Sequence, residues 1–170
     1  MPHPLVVQLR FTRSEWKRAL HGLSDADARQ RLLPMNSISW NIGHLAWQEQ
    51  RYWFMRLQGK TPLPRHNELF GYEQRAQVGS PPLAEMWEAW QTITQLADPY
   101  LDTLTTEQLL ETHYLDDQKT TFTVGNLLQR VIYHYWYHLG ENLAIRQMLG
   151  HTDLPEFVGE IDDEAPYRPA

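Results

Sequence analysis

The stretch from Thr123 to Gly150, TVGNLLQRVIYHYWYHLGENLAIRQMLG, constrains this chain more than any other. Its apolar residues recur every three or four positions, which predicts one long amphipathic helix. At about 100° per residue, Val124, Leu127, Val131, Ile145 and Leu149 fall on one stripe, together with His134 and His138. An imidazole on an inward stripe needs a polar partner or costs stability. Two of them four positions apart sit one turn from each other, so their ring nitrogens can reach a common point. That spacing suits a single metal ion.

The rest of the chain supplies partners for this helix. Leu5, Leu9, Trp16, Leu20 and Leu23 share a face, so residues 3–22 read as a first helix. Ser24 caps a short turn that Pro34 closes. Asn36 or Ser37 then caps a second helix reaching Gln58 and ended by Gly59. Trp40, Ile42, Leu45, Trp47, Tyr52, Trp53, Phe54 and Met55 make that helix apolar on most sides. Such a helix is central, or meets a second chain as well as its own core. Residues 60–82 read as a long crossover loop with local structure from Glu68 to Tyr72. A third helix runs from Leu83 to Leu104, and Pro99 should kink it or end it early. Thr105 caps another turn, residues 111–122 form a polar connection that is briefly extended, and Thr123 caps the fourth helix. Four helices with long connections spell an all-α helix bundle. Residues 1–152 form that domain, and residues 153–170 an acidic, irregular tail exposed to solvent.

Composition narrows the chemistry. The chain has 170 residues and no cysteine, which excludes disulfides, thiolate ligands and a cysteine nucleophile. The net charge of −6 is concentrated at the end. From Asp153 onward six acids face one base, whereas the body holds fifteen acids and fourteen bases. A nearly neutral body without a basic stripe argues against nucleic acid as a partner. No apolar run approaches the roughly 20 residues of a membrane span, and the N-terminus lacks the pattern of a signal peptide. No membrane association and a cytoplasmic location are therefore expected.

Of eight histidines, His3, His21, His66, His113 and His151 fall near helix ends or in loops, where surface positions are expected. His44, His134 and His138 each lie mid-helix on an inward face and are the candidate metal ligands. Three neutral imidazoles leave the ion its full charge and leave coordination positions open, the pattern of a catalytic site. Imidazole accepts Zn, Ni, Fe and Cu alike, so the ligand set does not choose the metal. Glu141, one turn beyond His138, is the candidate catalytic group. It can orient a ligand, bind the ion or act as general base, and it can equally pair with Arg130 or Arg146. Gln48 and Arg51 follow His44 at one and two turns. With Trp47 and Tyr137 they are the candidate substrate-binding residues, Arg51 for a carboxylate.

Thr123-Val-Gly-Asn-Leu-Leu, His134-xxx-His138-x-Gly140-Glu141 and Arg146-xxx-Gly150 together resemble the last helix of the DinB/YfiT-like superfamily. Trp40-Asn-Ile-Gly-His44-Leu-Ala-Trp47 resembles its second helix, and the resemblance spans roughly residues 5–150. It implies an up-down-down-up four-helix bundle, commonly a homodimer, with a divalent ion on His44, His134 and His138. That ion is often nickel or zinc, and iron in some relatives. It further implies thiol-dependent S-transferase or isomerase chemistry with a low-molecular-weight thiol as cosubstrate, and the metal site by itself also allows a hydrolase, in either case acting on a small electrophile. The alternative is a dimeric bundle that binds metal or ligand without turnover. Tyr135, Tyr137, Leu139 and Gly140-Glu141 stand where the family often carries an acid, a histidine, an arginine and Gly-Gln. The resemblance therefore carries the ligand set further than the substrate chemistry.

Overall fold

A computed structural model describes residues 1–71, 79–115, 118–156 and 158–168. It is mostly helical, and its backbone divides into two compact units, Met1–His21 with Asp98–Ala170 and Gly22–Ala97.

In the first unit, α1 (Pro4–Ala19) lies against a long helix near the other end of the chain. His3 caps α1 by accepting from the Leu5 backbone N–H at Nδ1, and Pro4 supplies a first helical residue that has no N–H to orphan. That long helix, Val124–Met148, opens with a capping box: Thr123 accepts from the Asn126 N–H, and the Asn126 side chain accepts from the Thr123 N–H. Between the two helices, Leu9, Trp16, Leu127, Leu128 and Val131 are fully buried. The Trp16 and Tyr135 rings meet edge to face at 5.6 Å, an arrangement that matches the quadrupoles of the two rings.

The connection ahead of that helix is a two-stranded antiparallel hairpin, β1 (Thr112–Leu115) and β2 (Gln118–Thr123), with Thr112 opposite Thr123. The extended stretch anticipated from sequence is thus a paired element that leads directly into the helix cap.

The C-terminal segment departs from expectation. Rather than lying loose in solvent, it is tied to α1: Gln8 donates to the Ala165 carbonyl, Arg18 to the Glu156 carbonyl, and the Gly159 N–H to Glu15. Ala165 is buried, and residues Ile161–Glu164 form a single helical turn. The acids of that turn stay exposed, as their charge requires, while the backbone around them provides the attachment. Glu15, itself buried, is held below the usual carboxylate range by the Arg18 fork against it.

In the second unit, α2 (Asp25–Arg29) is capped by Ser24, and α3 (Ile38–Glu49) by Ser37, whose hydroxyl accepts from the Trp40 N–H. All twelve residues of α3 are buried. Its apolar circumference is therefore covered within this chain.

The predicted continuation of α3 to Gln58 changes character at Gln50, where a π-helix takes over through Arg56. The Gln50 side chain clamps Leu63 there, accepting from its N–H and donating to its carbonyl. The long loop expected over residues 60–82 contains α4 (Pro64–Phe70), with Pro64 at its first position. The anticipated local structure reaches Gly71, and Tyr72 lies outside the described residues. At Gly43 the backbone of α3 is closely approached by other elements of the second unit. A Cβ there would stand 2.4 Å from both the Phe70 ring and the Met86 sulfur. The helix α5 (Leu83–Leu101) runs through Pro99 and stops two residues later, so the proline costs only the last turn. A short α6 (Thr106–Leu110), with its own capping box, follows in the first unit. We call the long helix Val124–Met148 α7 and the final turn Ile161–Glu164 α8.

Candidate metal centre

On α7, His134 and His138 follow each other by one turn, as their spacing requires, and their Nε2 atoms are 2.9 Å apart. His138 is buried, with only 6% of its surface exposed, and its Nδ1–H donates to Glu141 Oε2 at 2.7 Å. A carboxylate can only accept, so the proton sits on Nδ1 and the Nε2 lone pair is turned toward His134. Burial first, then the neighbouring His138, push the His134 pKa down to about 4. The ring is therefore neutral and able to act as a ligand at physiological pH.

Two facing imidazole nitrogens at this distance need a positive centre to share. A proton suffices, and then His134 donates to His138. A metal ion fits equally. Ligand nitrogens at about 2.0–2.1 Å from one ion, at angles of roughly 90–110°, are about 2.8–3.4 Å apart.

His44 is in the middle of α3 and is 7% exposed. Its ring stacks on Trp40 at 4.7 Å and 18°, and on Trp47 at 5.8 Å and 24°. One nitrogen from each of His44, His134 and His138 lies within 4.8 Å of the others, so the three form a group able to hold a metal ion. A donor set of three imidazoles suits a divalent first-row ion.

The other candidates divide. Glu141 Oε2 accepts from His138 Nδ1. Of the cations that could have paired with it, Arg146 donates to the Ala19 and His21 carbonyls and to His151, and Arg130 sits over the Phe122 ring at 4.4 Å. Trp47 stacks on His44, and its indole N–H donates to Asn67. The Arg51 guanidinium lies 5.4 Å from the Trp47 ring centre and 5.8 Å from that of Tyr52. Gln48 is buried. Tyr137 is 71% exposed, with its ring edge-on to His138 at 5.1 Å.

Two histidines assigned to the surface are buried. His66 is on α4 with Nε2 2.7 Å from the Gly43 carbonyl, and burial lowers its pKa. His113 is on β1, with Nδ1 3.1 Å from the Phe122 carbonyl. Each satisfies its polar edge with a backbone oxygen, which is why neither needed an apolar periodicity around it. Trp40 is an immediate neighbour of His44. The repeat Trp40-xxx-His44-xx-Trp47 carries that information, because residues three and four apart on a helix touch.

A bay of about 550 Å³ in the first unit is lined by Lys17, Arg18, His21 and Arg146. Its two arginines serve the chain itself. Arg18 is forked onto Glu15, and Arg146 closes the carbonyl end of α1.

Compared with known families, residues 8–141 match the model described as the DinB superfamily. No curated protein matches the chain. No helix among the described residues is long and apolar enough to cross a membrane.

Proposed function

The chain belongs to the DinB superfamily, and from that premise we propose that it is a divalent-metal-dependent enzyme, a thiol S-transferase or a hydrolase acting on a small electrophile. The observation that carries this reading is the grouping of three buried or half-buried histidine nitrogens within 4.8 Å, one of them held in its ligand tautomer by a carboxylate. His44, His134 and His138 would hold the ion, nickel or zinc before iron. When bound, such an ion supplies Lewis-acid activation of a thiol or a water.

The protein's own residues do the remainder. Neutral imidazoles leave the charge of the centre uncompensated, so it favours an anionic nucleophile. Glu141 acts through His138 as a positioning residue, since its carboxylate bonds the nitrogen that points away from the centre. Arg51, steadied over two aromatic rings, offers its guanidinium to a carboxylate on the thiol or substrate, and Gln48 and Tyr137 complete the binding surface. The up-down-down-up bundle and the homodimer belong to the same proposal.

Elemental analysis of protein isolated without chelator should give about one ion per chain, and His138→Ala should abolish it. The loaded protein should consume a haloaromatic or an epoxide only when a low-molecular-weight thiol is present. Consumption without thiol assigns it to the hydrolases. No consumption under either condition removes the enzymatic reading.

The deep burial of His44 and His138 favours a second reading, a closed site that binds without turnover. Exogenous thiol separates the two: it should perturb the absorption of a Co(II)-substituted open site and leave a closed one unchanged.

A further inference from the structure

In the second unit His44 is stacked against two indoles. Both faces of its ring are covered by indoles, Trp40 at 4.7 Å and Trp47 at 5.8 Å, with interplanar angles of 18° and 24°. The Arg51 guanidinium continues the column over Trp47. The four groups stand at positions i, i+4, i+7 and i+11 of one helical run, so one stripe of side chains produces a stack in which indole faces alternate with an imidazole and a guanidinium. The indoles are themselves held. Trp47 donates to Asn67, and the Trp40 ring rests against Phe70 at 5.8 Å. Phe70 in turn occupies the space left by the missing side chain of Gly43. Trp40 and Trp47 are 8% and 3% exposed, so water does not screen the stack.

We infer that Trp40 and Trp47 are positioning residues for His44 as a metal ligand, a role that rests on the metal reading above. Two physical effects follow from the geometry. With both faces occupied, the imidazole can offer only its edge, where its nitrogens lie, and its rotation about the Cβ–Cγ bond is blocked by the flanking rings. Coordination to a divalent ion also draws electron density out of the imidazole and makes the ring cationic in character. An indole face attracts such a ring, and does so most strongly where the contact is dry. Free and metal-bound His44 are therefore not equally stabilised: the sandwich favours the bound form. On α7, Tyr137 meets His138 edge-on at 82°, and Glu141 bonds the His138 Nδ1 in the ring plane.

The experiment is a titration of the chelator-stripped full chain with Ni(II), read by calorimetry, and with Co(II), read by its visible absorption. Trp47→Leu should weaken binding of both ions about tenfold, the range seen when a group that orients a ligand is lost. Trp47→Phe, which keeps a π face, should recover most of that loss. Tyr137→Leu should change affinity less than twofold. A second series avoids any question of folding: tryptophan is replaced throughout by its 5-fluoro and then its difluoro analogue, which keep the shape of the ring and drain its face. Affinity should fall stepwise along that series, while the thermal midpoint of the metal-free protein stays put. Equal affinity across the fluorinated series overturns the inference and leaves the metal site intact. A wild-type chain that binds neither ion overturns the metal reading, and the inference with it.

Discussion

Histidine is held in two ways in this molecule, and the contrast between them is instructive. In the second unit His44 is fixed by stacking, with an indole on each face. In the first unit His138 is fixed by a hydrogen bond in the ring plane, from Nδ1 to Glu141. Stacking constrains the plane of a ring and leaves open which nitrogen carries the proton. A carboxylate on one nitrogen decides the tautomer and leaves the faces open. Orientation and protonation state are separate requirements for an imidazole that is to ligate an ion, and each device answers one of them.

That contrast can be tested at each end. The largest effect belongs to the ligands: His138→Ala and His44→Ala should each lower metal affinity at least about a hundredfold in a calorimetric titration. If one loss is mild, the two environments are not serving one centre. Next comes the packing beneath the aromatic column. Gly43→Ala brings a methyl 2.4 Å from the Phe70 ring and the Met86 sulfur, and should destabilise the fold by about 2 kcal/mol or more in chemical denaturation. A neutral result there removes the close approach of α3 to α4 as a constraint on the His44 stack. Glu141→Gln should lower metal affinity about tenfold with little change in thermal midpoint, since the amide oxygen is a weaker acceptor for the His138 N–H. An unchanged affinity makes Glu141 a bystander.

The smallest effect is a pH dependence. Because the folded His134 pKa is pushed down to about 4, the unfolded chain takes up a proton first as the solution is acidified. Its contribution to the stability of the metal-free protein is therefore complete above about pH 6.5. It should decline from there toward about pH 4 and level off below. His134→Gln should lose that segment of the curve, measured as urea midpoints against pH. Glu15 adds its own loss at lower pH: its depressed carboxyl stabilises the fold above the ordinary carboxylate range, and that contribution disappears as acid protonates it in the folded state.

How far these features could be read from the chain alone follows from the distance over which each is determined. Caps and periodicity are local, so Ser37, Thr105 and Thr123 marked their helices, and the spacing of His134, His138 and Glu141 placed those three side chains on neighbouring turns. The switch to a π-helix at Gln50 was hidden, because it accompanies a clamp on Leu63 thirteen positions further on. The turn at α4 was hidden as well, since prolines and a glycine surround it and its buried face is only Phe70 and His66.

By itself, then, the sequence determined a cysteine-free, mostly helical chain whose long C-terminal helix carries two imidazoles on one stripe. Those are consequences of residue type and of a 3.6-residue repeat. Tertiary structure alone decided that α3 is covered on every side, that His66 and His113 are buried on backbone carbonyls, and that the acidic segment is fastened to α1. Each of these depends on groups far apart along the chain, and no local propensity specifies which distant surface will close over them.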